Sequence, residues 1–316
     1  NIYILNKFEK DVLNMLSYKL PDKKLQENTS AFLQKATLLG MYLPEDLRTF
    51  IHNFKSGKLK NDIFIIKNLP VDKDITTPDK NTFFVGENTK LSRCQAIINQ
   101  CVGEMVAYEA EAHGHLFQDM VPNKLLKDSQ TSLGSNTELE LHTEQAFSDV
   151  KPDYLSLACL KGDMHAKTYY LHLNYILKNI SIEERELLEN KLWNIGVDLS
   201  FVMNGCSSEE RGPLSIIQNN QLVFDQDLMK GTTSQANELI KKIIDIYYKN
   251  REHYILKTGD LLILNNNKLV HGRSDFQAKF DGTDRFIIRS FIINSLDKIK
   301  NKTKDTNDRI VKTMHS

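Results

Sequence analysis

Cysteine is scarce in this chain, and what there is shows no pairing by spacing. Only Cys94, Cys101, Cys159 and Cys206 occur in 316 residues, with no C-x-x-C among them. A zinc ribbon or disulfide framework is therefore not expected; free thiols in a reducing cytoplasm are, with Cys94 and Cys101 packed into a helix core. An excess of either charge is also missing, since 41 Lys and Arg balance 41 Asp and Glu. Neither a basic field for nucleic acid nor an acidic excess follows. No apolar run approaches the roughly 18–20 residues that cross a bilayer, so no membrane partner is expected. The opening NIYILNKFEKDVLNML has no basic start, long apolar centre and small-residue cleavage site, and a cytoplasmic chain is expected. Proline and glycine form no linker within 1–295, and no repeat or low-complexity tract interrupts it. What remains is ordinary globular composition in a chain long enough to bury a sizeable core.

Apolar residues recur at helical spacing over 7–20 and 29–55, which predicts a helical N-terminal part over about 1–60. NDIFIIKNLP reads as a buried strand and TKLSRCQAIINQCVGE as a further helix. From there the texture turns to short strands, among them LELHTE, YLSLACL, KTYYLHL, PLSIIQ, LVFDQD, DLLILNN and RFIIRSFIIN. Two helices interrupt them, one over about 181–192 opened by the capping box of Ser181 and Glu184, one over about 234–249. Many short strands suggest a sandwich or jelly roll, an α+β fold with a mainly β core. Residues 117–137 form a long polar loop suited to a lid. The segment 296–316 is charged and aperiodic, and a flexible tail behind a single domain over 1–295 is expected.

One strand stands out. In TELELHTE, His142 and Glu144 lie two apart and so share a strand face. Such alternation also describes a solvated face. If the face points into a barrel, an imidazole and a carboxylate can fill two positions on one metal, and His271 in NNNKLVHGRS offers a third. Two histidines and one carboxylate leave three positions open, the arrangement suited to Fe(II) that must bind cosubstrate and oxygen together. Fourteen residues beyond His271 comes Arg285, and four later Arg289, on one face of the next strand. Two guanidiniums aimed inward need anions, and carboxylates suit their fork geometry.

These residues, LHTEQAFSDVKPDYLSLACL with GDLLILNNNKLVHGRSDFQAKFDGTDRFIIRSF, closely resemble the clavaminate synthase-like Fe(II)/2-oxoglutarate oxygenases, in particular the asparagine and arginine β-hydroxylases. The resemblance runs from about Gly103 to Asn294. It implies a double-stranded β-helix (jelly roll) over about 103–294, with flanking helices, that uses Fe(II), 2-oxoglutarate and O2 to hydroxylate a small-molecule amino acid. His142, Glu144 and His271 match the iron ligands. Arg285 matches the residue gripping the distal carboxylate of 2-oxoglutarate, with Thr168 assisting. On the substrate side Arg289 and Ser132 match groups that hold the α-carboxylate and Glu111 one that holds the α-amine. Halogenating relatives replace the carboxylate ligand by a small residue; Glu144 keeps it, which favours hydroxylation, with desaturation still open. In LVFDQDLM, Asp225 and Asp227 share a face if extended, and a D-x-D there clamps a guanidinium in arginine hydroxylases. A free cationic amino acid is expected, arginine first at Cβ or Cγ, with lysine and asparagine as rivals. A non-oxygenase barrel binding a small acid or a hydrolytic Zn(II) is the remoter alternative.

Overall fold

The computed structural model describes residues 1–21 and 28–316. Residues 22–27, within the stretch expected to be helical, lie outside the described residues. A nine-stranded sheet dominates. Its order is Ile2–Ile4, Ile63–Lys67, Leu261–Asn265, Tyr154–Lys161, Phe286–Ile293, Glu104–Tyr108, Asn307–Val311 and Thr303–Lys304, with Gln118–Met120 also paired to Phe286–Ile293. A four-stranded sheet runs Glu252–Tyr254, Thr168–His172, Leu269–Arg273 and Leu139–His142. The fold is thus mixed α and β, with sheets at its centre.

Alternation along the strands assigns the two faces. Phe64 and Ile66, Ile288 and Ile292, and Leu261 and Ile263 join a core with the helices α1 (Lys7–Ser17), α2 (Thr29–Gly40), α3 (Glu45–Lys55) and α4 (Lys90–Val102). Their neighbours Ile63, Ile65, Ile287, Phe291, Leu262 and Leu264 turn the other way and meet Leu269, Tyr170 and Tyr254 of the small sheet. A strand buried on both faces must be apolar throughout. Phe286–Ile293 is buried at every position, yet carries Arg289 and Ser290. The outer face of the small sheet, with Leu141, Leu171 and Val270, packs on the helix Ser234–Asn250 and on an insertion containing Trp193. No helix of the described residues is long and apolar enough to cross a membrane.

Several expectations need correction. The N-terminal part is not helical throughout: Ile2–Ile4 is a strand parallel to Ile63–Lys67. The capped helix at Ser181 stops at Leu188, and Trp193 lies in a short strand, fully buried, its indole donating to the Ala236 carbonyl at 3.1 Å. Of LVFDQD only Leu222 is in a strand, the end of Gln221–Leu222. Most clearly, 296–316 is not a frayed tail. Asn307–Val311 pairs in parallel with Glu104–Tyr108, burying Ile310 and Val311, while Arg309 donates to Glu104 at 2.6 Å. Two adjacent aliphatics among many charges make no detectable period, which is why the segment reads as loose.

Ile310→Ala therefore should destabilise the protein by about 2–4 kcal/mol, the usual cost of truncating a buried aliphatic. Urea unfolding measures it; an unchanged midpoint would mean that this strand adds nothing to the sheet.

Candidate active site

The site forms where Leu139–His142 meets Leu269–Arg273. These strands are antiparallel neighbours, and their register sets His142 directly opposite His271. The rings lie 4.4 Å apart between centroids. Contrary to expectation Glu144 is not on the strand but in the turn that follows, where Gln145 takes a positive φ of 48°. The turn keeps the carboxylate on the histidine side. Its Oε1 lies 3.2 Å from His271 Nε2 and 3.8 Å from His142 Nε2. Ligand atoms of all three residues fall within 4.8 Å of one another.

The donor set fits a divalent cation. His142 Nδ1 is 2.8 Å from the Glu140 carbonyl, which can only accept, so Nδ1 carries a proton and Nε2 is the nitrogen that faces the cluster. His271 Nδ1 is buried and makes no hydrogen bond among the described residues. Burial alone would push Glu144 up, but Arg289 and the two histidines outweigh it and hold the carboxyl well below the usual range. Burial depresses His142 too, yet the Glu144 carboxylate lifts it to about 9. His271 is pushed down by burial and by the His142 charge. One carboxylate shared by two imidazoles is the charge pattern that a cation would replace.

Asn266 is what places Glu144. Its side chain accepts from the Glu144 N–H at 2.7 Å and donates to the Glu144 carbonyl at 3.1 Å and the Pro152 carbonyl at 2.8 Å. It is fully buried, in a polar triplet that reads from sequence only as a turn.

Arg289 points into the inter-sheet space and is paired. It donates to the Glu111 carboxylate and to Gln118 Oε1 at 2.6 Å, and stands 3.7 Å from Glu144. Glu111 is pushed up to about 7 by burial, against the pull of Arg289, and accepts from Gln145 at 3.2 Å. Gln118, in the unremarkable FQDM, carried no signal in the sequence. Arg285 differs. It is buried, lies 5.9 Å from the Phe276 ring centroid, and has no hydrogen bond or ion pair with any described residue. Burial pushes its guanidinium down. A buried cation without an ion pair, helped by the more distant charge of Asp163, fits the carboxylate of a small ligand. Thr168, also buried, lies opposite Arg273 in the register of the next strand pair.

The remaining expected residues separate. Ser132 enters through its carbonyl, which accepts from Arg273 at 3.2 Å. Asp225 and Asp227 do not share a strand face, because the chain turns between them. Asp225 forms a β-bridge with His142, and its Oδ1 accepts the N–H groups of Asp227 and Leu228, each at 2.9 Å. Burial pushes Asp225 up to about 6. Asp227 is exposed.

No protein-family model matches the chain. It is similar to an L-lysine 3-hydroxylase of Catenulispora acidiphila, 44% identical over 270 residues that span 83% of this chain and 75% of the relative. Clavaminate synthase 2 of Streptomyces clavuligerus is 25% identical over 295 residues, 90% of this chain and 89% of the relative. In fold it matches a crystal structure of asparagine oxygenase holding Fe(II), hydroxyasparagine and succinate. The TM-score is 0.91 at 22% identity, over 98% of this chain and 99% of that one.

Asn266→Ala should weaken divalent-cation binding by about 10–100-fold, the usual effect of losing a group that orients a ligand, with secondary structure retained. Metal titration under nitrogen with circular dichroism checks this; unaltered affinity would deny Asn266 its positioning role.

Proposed function

The chain belongs to the clavaminate synthase-like Fe(II)/2-oxoglutarate-dependent oxygenases, amino-acid hydroxylases that take O2 as cosubstrate, and on that premise we propose that it hydroxylates free L-lysine at C3. Membership removes the alternative of a non-oxygenase barrel. The observation that carries lysine is the 44% identity to a protein bearing that activity in its name. It moves lysine ahead of arginine, which the sequence motif placed first. The two sheets are read as the halves of a double-stranded β-helix.

His142, Glu144 and His271 are assigned to the iron, Arg285 with Thr168 to the distal carboxylate of 2-oxoglutarate. Bound Fe(II), with 2-oxoglutarate and O2, supplies an oxidant that turns a C–H into C–OH while the cosubstrate becomes succinate and CO2. The protein's own share is holding the amino acid. Arg289 and Glu111 form an ion pair whose two halves complement a zwitterion: guanidinium to the α-carboxylate, carboxylate to the α-ammonium. Ser132 is assigned to support the α-carboxylate. Asp225 is assigned to the side-chain ammonium. Its Oδ1 is engaged by the turn, and a cation would offset the cost of charging its half-buried carboxyl. Asp227, exposed, contributes field rather than contact.

The test is a panel of free lysine, ornithine, arginine and asparagine with Fe(II), 2-oxoglutarate and O2, read as a mass gain of one oxygen. Lysine is expected to turn over best, with the oxygen on C3. Preferential oxidation of arginine or asparagine would overturn the lysine assignment. Asp225→Asn should raise KM for lysine on the order of tenfold or more, the scale of one lost hydrogen bond to a charged group, with KM for 2-oxoglutarate unchanged. Asp227→Asn should change it by no more than about threefold, as a solvated charge would. Equal losses would refute the division of roles.

A further inference from the structure

Besides Arg285 and Arg289, a third guanidinium, Arg273, is buried here, and the hydroxylation reaction assigns it no task. All its hydrogen bonds go to main-chain carbonyls. Nε donates to Ser274 at 3.0 Å, one terminal nitrogen to Ser132 at 3.2 Å, and the other to Gly134 and to Thr137 at 3.3 Å. Close by, the Phe276 N–H donates to the Ser135 carbonyl at 2.8 Å. The short segment directly after His271 thus grips four carbonyls of the loop 129–137. Three of the four are held by the Arg273 side chain alone, which a planar fork with several fixed donors makes possible. Gln130 adds a tie to the strand of His142, its amide donating to the Glu138 carbonyl at 2.7 Å.

Arg273 also has an electrostatic neighbour. Its guanidinium lies 5.1 Å from the centroid of the Phe276 ring, and that of Arg285 lies 5.9 Å from the same centroid. Neither forms an ion pair with a described residue; burial disfavours the charge on Arg273, the charge on Arg285 adds to this, and Asp275, exposed to solvent, offsets part of it. Two buried cations sharing one ring repel, and low dielectric strengthens the repulsion. An anion on Arg285 relieves it.

We propose that Arg273 is a positioning residue that couples 2-oxoglutarate binding to the order of the loop 129–137. The inference rests on Arg285 holding the distal carboxylate of the cosubstrate. A carboxylate there neutralises the neighbour of Arg273, leaves Arg273 settled among the loop carbonyls, and so orders the loop carrying Ser132 on the substrate side. Coupling of this kind is reciprocal: a loop that is already ordered binds the cosubstrate more tightly, and a distorted loop less tightly by the same factor.

Hydrogen–deuterium exchange of the full chain with Fe(II) under nitrogen tests this on peptides covering 129–137, with and without 2-oxoglutarate, alongside calorimetric cosubstrate affinity. In the wild type 2-oxoglutarate should slow exchange of the loop by about fivefold or more, the lower end of ordinary coupling. Arg273→Gln should speed exchange and abolish the response. Arg285→Gln should do the opposite in the absence of cosubstrate, slowing exchange because the repulsion is gone. Gly134→Ala, whose Cβ would meet the Ser129 carbonyl oxygen at 2.2 Å, should weaken 2-oxoglutarate binding although it touches none. A loop in Arg273→Gln that still responds as the wild type does would overturn the coupling. So would Arg285→Gln exchanging no more slowly than wild type without cosubstrate, a reading that stands even where Arg273→Gln does not fold. If Arg285→Gln binds 2-oxoglutarate normally, the assignment of Arg285 fails and takes the coupling with it. If affinity falls but the wild-type loop ignores the cosubstrate, the coupling alone fails.

Discussion

The direct opposition of His142 and His271 across two antiparallel strands is the constraint from which the rest of the site follows. Side chains alternate along a strand, so a slip of one residue would send one imidazole to the outer face, among Leu141, Leu171 and Val270. That outer face is apolar and covered by the helix Ser234–Asn250, which makes the slipped register costly. The hydrophobic packing of the small sheet therefore holds two histidines together although neither belongs to the core. Glu144 needs a different device. It lies beyond the strand end, and Asn266 clamps its main chain through two hydrogen bonds from a neighbouring turn.

The second organising feature is the distribution of buried charge. Arg289 is satisfied by Glu111 and Gln118, Arg273 by carbonyls, and Arg285 by no described residue. Burying a cation without a partner costs far more than a surface ion pair returns. The nine-stranded sheet tolerates Arg285 because Phe286 and its neighbours bury enough apolar surface to hold the strand in place. A guanidinium kept unpaired in this way is held in position by the packing of the strand it precedes rather than by a partner of opposite charge.

Legibility from sequence followed the physics of each signal. The central strands of the large sheet are readable because apolar and β-branched content repeats along them, and the His142, Glu144 and His271 cluster because H-x-E and H-G-R-S are local patterns. The strand Leu269–Arg273 was not read as one, since two glycine- and asparagine-rich edges make it look like a turn, yet it carries His271 and Arg273. Asn266 and Gln118 were invisible because their roles exist only in partners over a hundred residues away. Asp225 and Asp227 were read as a pair on an assumption of extension, and the turn between them, capped by Asp225 itself, removed it. The closing strand Asn307–Val311 was missed because its evidence is a parallel partner two hundred residues earlier.

The two ends of the proposed substrate site differ in kind, and the difference bears on selectivity. At the α-amino acid end Arg289 and Glu111 already satisfy each other, so a zwitterion exchanges one ion pair for two of similar chemistry and gains little net energy there. At the other end Asp225 is half-buried, and its desolvation pushes the carboxyl up to about 6. Delivering a cation beside it recovers the desolvation cost of its charged form, a gain that a neutral amide cannot match. On the lysine assignment proposed above, the α-amino acid end would therefore contribute little to discrimination and Asp225 most of it, so the charge and reach of the substrate side chain would decide which amino acid is taken.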